Sequence, residues 1–327
     1  MLRKLLTYST ILLAIAQAIS QTVIKDETTK QPVSFATISF GNGNGVFADD
    51  EGSFIFTEKL YPDIDTLYIS ALGYKDLVVP SVNLGPTLYM KTQIDHLNEV
   101  VIRNTKDRKF KEETLKPYLD DDYYHCWLPT IESEIAVYFP NDGQKTQEIA
   151  KVHIPVTLES KDWEKRKKAN TEKQPFSTLF KVKFYYNDNG QPGKALTYET
   201  IVFRTTEKNG NTFVLDVSQH TIDVPDNGFF VSLQVLGYTD HSGKLLPNKK
   251  YKEIKDGKNT VKIPTNFRPL LPFTDKIPGN RTFIKRVFIN DNKWSKFEKD
   301  GDVQSGLLKL GLNNYGIGVT YKVFREE

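Results

Sequence analysis

The chain has one cysteine, Cys126, in 327 residues. No intrachain disulfide can form, so whatever core it builds stands on packing alone. Methionine is nearly absent, at two residues, and tryptophan is limited to three. There is no excess of charge of one sign: 44 Lys and Arg face 41 Asp and Glu. Without a basic surplus there is no global attraction to nucleic acid, so a nucleic-acid partner is not expected. The densest basic run, "KDWEKRKKANTEK" from Lys161 to Lys173, carries Asp162, Glu164 and Glu172 as well, and it reads as a solvated loop. Long apolar runs are missing too, with one exception at the start.

That exception is "MLRKLLTYSTILLAIAQAIS", where Arg3 and Lys4 precede an apolar stretch from Ile11 to Ile19, and Ala18 and Ser20 sit three and one residues before Gln21. Basic residues, then a short apolar run, then small residues, describe a secretory signal peptide over residues 1–20. The run is shorter than the about 20 residues a membrane span needs. Its removal takes Arg3 and Lys4 and leaves 42 basic against 41 acidic side chains. The expectation is an exported chain, periplasmic or cell-surface associated, with no membrane span after processing.

What the chain has in quantity is period-2 alternation, the signature of strands with one face on a core. "TLYISALGY" aligns Leu67, Ile69 and Ala71, "KVHIPVTL" aligns Val152, Ile154, Val156 and Leu158, "FKVKFYY" aligns Phe180, Val182 and Phe184 against Lys181 and Lys183, and "GFFVSLQVLGY" aligns Phe229, Val231, Leu233 and Val235. Each is predicted to turn its second face to water. Asn-Gly and Asp-Gly pairs at "NDNGQPG", "EKNGN", "PDNG" and "KDGK" punctuate these runs as hairpin turns do. Helical pattern is confined to two short stretches, Asp107–Leu119 and Lys161–Lys168. The predicted fold class is therefore all-β. A small sandwich spans 21–92, a charged linker or helical spacer spans 93–130, and a larger antiparallel sandwich of jelly-roll type spans 131–327. The proline-rich strap "IPTNFRPLLPFTDKIPG" and the late strands belong to the second sandwich.

The stretch "FATISFGNGNGVFADDEGSFIF", Phe35 to Phe56, is the first place to look for chemistry. A phosphate loop leads into a helix N-terminus, but here strand-forming residues follow Gly41, Gly43 and Gly45. Asp49, Asp50 and Glu51 are consecutive, so their side chains diverge and no calcium loop of the helix–loop–helix kind results. A turn remains, with Gly52 at a positive φ. "HLNE" places His96 and Glu99 at a zinc-like spacing, the basis of one alternative, a cryptic metallopeptidase, but no third ligand is near in sequence. No metal or other cofactor is implied. No serine nucleophile elbow occurs, so no catalytic residue is assigned. The most site-like cluster is "DDDYYHCW": Asp120, Asp121, Asp122, Tyr123, Tyr124 and Trp127. Carboxylates beside aromatic rings can hydrogen-bond to and stack on sugars; the alternative is that these rings dock on a neighbouring core.

The residues Pro32, Ala36, Thr37, Val46, Asp49, Gly52, Phe54, Ser70, Gly73 and Tyr74 stand in the order found in the carboxypeptidase regulatory-like domain, which residues 21–92 resemble. Ala48-Asp49 replaces the usual Thr-Asp. The resemblance implies a seven-stranded transthyretin-like (prealbumin-like) sandwich without catalysis. "HLNEVVI", His96 to Ile102, resembles the strand that follows this domain in exported proteins of the Bacteroidetes, TonB-dependent receptors among them. The roughly 220 residues that remain are too few for a receptor barrel. They resemble instead the sandwich of short envelope proteins of that group, for which the resemblance implies no activity. Together these readings predict a non-catalytic envelope protein that binds a protein or a glycan. A glycan-binding or glycan-active accessory module is the alternative.

Overall fold

In a computed structural model, residues 21–325 are described except 42, 83, 94–108, 121, 132, 163–170, 247–251, 257–258, 264–268 and 290–292. The expected signal peptide, the His96–Glu99 pair and the strand-like "HLNEVVI" lie outside the described residues. The chain divides into two compact units, Met1–Asp95 with Phe288–Asn290, and His96–Val287 with Asp291–Glu327. Among the described residues no helix is long and apolar enough to cross a membrane.

Among the described residues the first unit holds seven strands in two sheets, the all-β sandwich expected. Its strands are β1 (Gln21–Asp26), β2 (Thr37–Ser39), β3 (Gly45–Phe47), β4 (Ser53–Ile55), β5 (Thr66–Ser70), β6 (Leu77–Pro80) and β7 (Thr87–Met90). One sheet runs β4-β1-β7 and the other β3-β2-β5-β6. Alternation puts Ile24, Ile38, Phe54, Leu67, Ile69 and Met90 into the core between them. Phe40, Phe56 and Tyr61 close one end, their ring centroids 4.7–5.7 Å apart. Phe288 packs its ring 5.1 Å from Phe47, and its carbonyl accepts hydrogen bonds from Ser39 Oγ at 2.8 Å and Gly43 N at 3.1 Å.

The Gly- and Asp-rich stretch forms the predicted turns. The Asp49 carboxylate accepts from Glu51 N at 3.1 Å and from Ser53 N at 2.7 Å, so it organises a turn. Gly52 completes that turn at φ +72°, and a Cβ there would stand 2.6 Å from the Ile24 carbonyl oxygen. Gly52→Ala is expected to lower stability by about 2 kcal/mol, the sum of a left-handed backbone penalty and a backbone clash. A urea titration followed by circular dichroism measures it, and an unchanged midpoint would contradict the geometry.

The second unit is the larger antiparallel sandwich. It contains β8 (Phe110–Leu115), β9 (Cys126–Trp127), β10 (Ser133–Phe139), β11 (Gln147–Pro155), β12 (Ser177–Asp188), β13 (Gln191–Ala195), β14 (Ile201–Thr206), β15 (Thr212–Asp216), β16 (Ile222–Asp223) and β17 (Phe229–Tyr238). The hairpin β18 (Lys252–Asp256) and β19 (Asn259–Ile263) follows, then β20 (Leu271–Thr274), β21 (Thr282–Arg286), β22 (Ser295–Lys296), β23 (Asn314–Tyr315) and β24 (Gly318–Phe324). The wide sheet has the order β13-β12-β17-β10-β21-β22, with β14 also on β12. Its partner has the order β15-β11-β24-β8, with β16 on β11. Phe203 of the wide sheet stacks on Phe213 of its partner with centroids 4.5 Å apart, which shows the two sheets face to face. The predicted Asn-Gly hairpin joins β12 to β13, with Asn189 at φ 51° and Gly190 at φ 86°, the two positive angles such a turn needs.

Two expectations need correction. The charged segment before residue 131 holds no helical spacer at 110–115. Those residues form β8, the edge strand paired with β24, and β9 pairs with β20. An edge strand is wet on both faces, so it can be charged throughout and shows no period-2 pattern. The second correction concerns β12 and β17, predicted to be half wet. Apart from Tyr238, β17 is buried along its whole length, and on β12 the outward-pointing Lys181 is only 6 % exposed. The second face of the wide sheet is therefore largely covered at its centre, and it carries charge.

Candidate functional site

The predicted cluster lies on a 3₁₀ turn, Tyr123–His125, and the strand β9 that follows it. Asp122 caps the turn: its side chain accepts from Tyr124 N at 3.0 Å. Asp120 is the organising residue. Its Oδ1 accepts from Asp122 N at 2.8 Å, and its Oδ2 accepts from Tyr118 OH at 3.3 Å and lies 2.8 Å from His125 Nδ1. An ionised carboxylate only accepts, so the ring proton sits on Nδ1 and Nε2 is turned away from Asp120. The Asp120 side chain is 13 % exposed and that of His125 40 %, so the carboxylate is the buried half of the pair. Lys276 Nζ stands 5.2 Å from the Tyr118 ring centroid, so the ring meets a cation while the hydroxyl meets the Asp120 carboxylate.

The aromatic members divide. Tyr124 is 57 % exposed and meets the half-buried Tyr123 edge to face, with centroids 5.9 Å apart. Trp127 packs against the core of the second unit, 6.0 Å from Phe273 and 6.4 Å from Phe297 between centroids. Trp127 is therefore not a free stacking platform. Asp121 lies outside the described residues. The Cys126 thiol sits 3.2 Å from the Asp122 carbonyl and 3.3 Å from Thr157 Oγ1, either of which can take its single proton. Thr157 Oγ1 in turn donates to the Asp120 carbonyl at 2.5 Å. These bonds tie the turn to the loop after β11, which is a structural use of the thiol.

A second cluster was not foreseen. It lies on the covered face of the wide sheet, in one row across four strands. Lys181 on β12 is in register with Gln234 on β17, Gln234 with Glu134 on β10, and Glu134 with Lys285 on β21. At the strand spacing of a sheet the row is about 14 Å long. Glu134 is fully buried. Its Oε1 accepts from Tyr185 OH and from Ser232 Oγ, each at 2.7 Å, and its Oε2 meets Lys183 Nζ at 3.1 Å and Lys285 Nζ at 3.4 Å. Lys285 also lies over the Trp294 ring, 4.6 Å from its centroid. Burial alone would raise the Glu134 carboxyl, but Lys183, Lys285 and the two hydroxyls outweigh it and hold it well below the ordinary range. Burial, reinforced by Lys183, brings the Lys181 ammonium down to about 7, with Glu134 pulling the other way. Burial likewise lowers Lys183 and raises Tyr185. Among the described residues no group of three or more His, Cys, Asp or Glu is placed to hold a metal ion.

No family model matches the chain, and no curated protein matches it. A solved structure that does match is that of the cysteine protease and lectin-like domains of Cwp84, a surface layer associated protein of Clostridium difficile, at 10 % identity over 58 % of this chain and 32 % of that one, with a TM-score of 0.32. The chain thus spans about a third of that protein's length, and a likeness this slight carries no argument about fold or activity.

Proposed function

We propose that this chain is a non-catalytic binding module of the cell envelope, exported through residues 1–20, that takes a glycan or a protein partner at the Tyr118–Asp120–Tyr124–His125 patch. The observation that carries the reading is the carboxylate-held imidazole beside an exposed ring: Asp120 fixes His125, and Tyr124 is 57 % exposed next to it. An oriented donor–acceptor next to an apolar face is what a hydroxyl-rich ligand or a polar protein surface needs. The engaged state of the other reactive groups favours binding over catalysis. Cys126 is tied to Asp122 and Thr157, and Glu134 is surrounded by four donors. The resemblance to envelope proteins of the Bacteroidetes supports the address.

The test uses the mature full chain on a glycan array, with a photo-crosslinking residue at the exposed position 119, beside the patch, for protein partners in envelope fractions. Tyr124→Ala and His125→Ala are expected to abolish capture while moving the urea midpoint little, because Tyr124 is a surface residue. Trp127→Ala is expected to lower stability by about 2 kcal/mol through lost packing with Phe273 and Phe297. A silent array together with no specific crosslink from position 119 would sink the reading.

A further inference from the structure

The glycine-rich stretch between β2 and β3 does more than turn the chain. On β3 the alternation that sends Val46 to the core turns Gly45 and Phe47 outward, and on β2 it turns Ser39 outward beside them. Phe288 belongs to this unit although it lies 249 residues from Ser39 in sequence, and it is seated on these three residues at 3 % exposure. Its ring packs on Phe47 and over Gly45. A Cβ at Gly45 would stand 2.4 Å from Cδ1 of that ring and 2.4 Å from the Ile38 carbonyl oxygen, so only glycine leaves the seat open. Ser39 Oγ accepts from Gly41 N at 3.0 Å and gives its own proton to the Phe288 carbonyl, to which Gly43 N adds a second bond. The seat thus reads a ring and the carbonyl of the same residue. Main-chain bonds beside a side-chain seat are how proteins hold an extended segment of another chain. The row also continues past the seat: Gly45, Ser39, Tyr68 and Val78 stand in register across β3, β2, β5 and β6. Tyr68 is 36 % exposed and Val78 59 %, so Phe288 covers one half of the row and leaves the other.

We propose that this seat is a protein-recognition site of the first unit, filled in cis by Phe288 and taken in exchange by an extended segment of another protein that carries phenylalanine. What the cis segment leaves uncovered favours the exchange. A partner segment with a further apolar side chain beyond its phenylalanine also covers Tyr68 and Val78. The contact given up is small, since only Phe288–Asn290 joins the first unit here and one ring and two bonds to its carbonyl hold it. The site is separate from the Asp120–His125 patch and does not depend on the function proposed there.

The experiment uses the mature full chain. The probe is an end-capped synthetic peptide with the chain's own sequence at 285–289, Lys-Arg-Val-Phe-Ile, labelled for fluorescence anisotropy. Phe288→Ala empties the seat and is expected to bind the peptide at least about tenfold more tightly than wild type, because a filled seat lowers apparent affinity by the fraction that is open. Adding Phe47→Ala, which removes the stacking ring from the outward face, is expected to bring binding back to the wild-type level. A peptide with alanine in place of phenylalanine is expected not to bind. A second readout needs no destabilised variant: with 4-fluorophenylalanine at position 288, excess peptide is expected to move the fluorine resonance toward that of the unfolded chain. Equal binding to wild type, Phe288→Ala and the double variant overturns the proposal, as does an unmoved resonance together with no binding to Phe288→Ala. A wild-type dimer that excess peptide dissociates also overturns it, since the occupant is then a second copy.

Discussion

Glu134→Gln is expected to cost about 3–5 kcal/mol of unfolding free energy. The reason is the asymmetry of buried ion pairs. Two ammonium groups, Lys183 and Lys285, converge on one carboxylate oxygen that has no exposure. Removing the charge leaves both cations desolvated without compensation. The new amide also turns N–H donors toward Nζ donors. The hydroxyls of Tyr185 and Ser232 still find an acceptor on the amide oxygen, so the loss isolates the charge and not the whole network. A companion variant separates pairing from burial. With Glu134→Gln, Lys183→Met and Lys285→Met together, the two ammonium groups that met the carboxylate are gone while the amide oxygen still accepts from Tyr185 and Ser232, and most of the lost stability is expected to return. Urea unfolding of the two variants decides the matter; a single-variant loss below about 1 kcal/mol would mean the lysines reach solvent more freely than the structure places them. The acid limb follows from the same group. The Glu134 carboxyl is held below its unfolded value near 4.3. Its contribution is therefore complete above that value and drains away as the pH falls toward the folded one.

How far the sequence led can be seen residue by residue. Alternation found the core faces of β5, β11, β12 and β17, because Leu67, Val152, Phe180 and Leu233 each sit in a strict period of two and all are buried. Turn chemistry found Gly52 and the Asn189–Gly190 hairpin, because a positive φ is a demand few residues can meet. The edge strand β8 was missed because Lys111, Glu112 and Glu113 face water on both sides, and a wet strand has no period. The buried row was missed for the opposite reason. Lys181, Lys183, Ser232 and Gln234 alternate with apolar residues just as a water-facing set does, and nothing in the pattern tells a solvated face from a covered polar one. One signal was available. In "GFFVSLQVLGY" the off-face positions also hold Phe230 and Leu236, so the run is close to continuously apolar, which marks a strand covered on both faces. The Asp120–His125 contact spans five residues through a turn, and its aromatic and acidic composition made the cluster legible. That Trp127 serves the core was not legible, since its partners Phe273 and Phe297 lie far away in sequence.

The covered face also sets how stability responds to alkali. In the folded chain Lys181 loses its proton at about 7; in the unfolded chain a lysine does so near 10.4. Between those values the unfolded state binds the extra proton, so stability rises with pH. The slope approaches about 1.4 kcal/mol per pH unit for one proton, and the total over the window is on the order of 4–5 kcal/mol. The penalty is absent above the unfolded value and complete only below the folded one. Lys183, lowered by the same burial and opposed by Glu134, adds to the slope with the same sign. Tyr185 and Tyr315 act above pH 10 in the other direction: burial raises both phenols, so there the unfolded state releases protons that the folded state keeps, and stability falls. These groups together move the pH of greatest stability to the alkaline side of neutral. Lys181→Met removes the titrating group and keeps most of its apolar length. It is expected to be more stable than wild type by about 2 kcal/mol or more at pH 7, with the difference shrinking to below about 1 kcal/mol by pH 10. Urea titrations at pH 7, 8, 9 and 10 on the two proteins measure both curves. If they run parallel, Lys181 keeps its proton throughout, and the charge on this face is shared across the row and not discharged at one end of it.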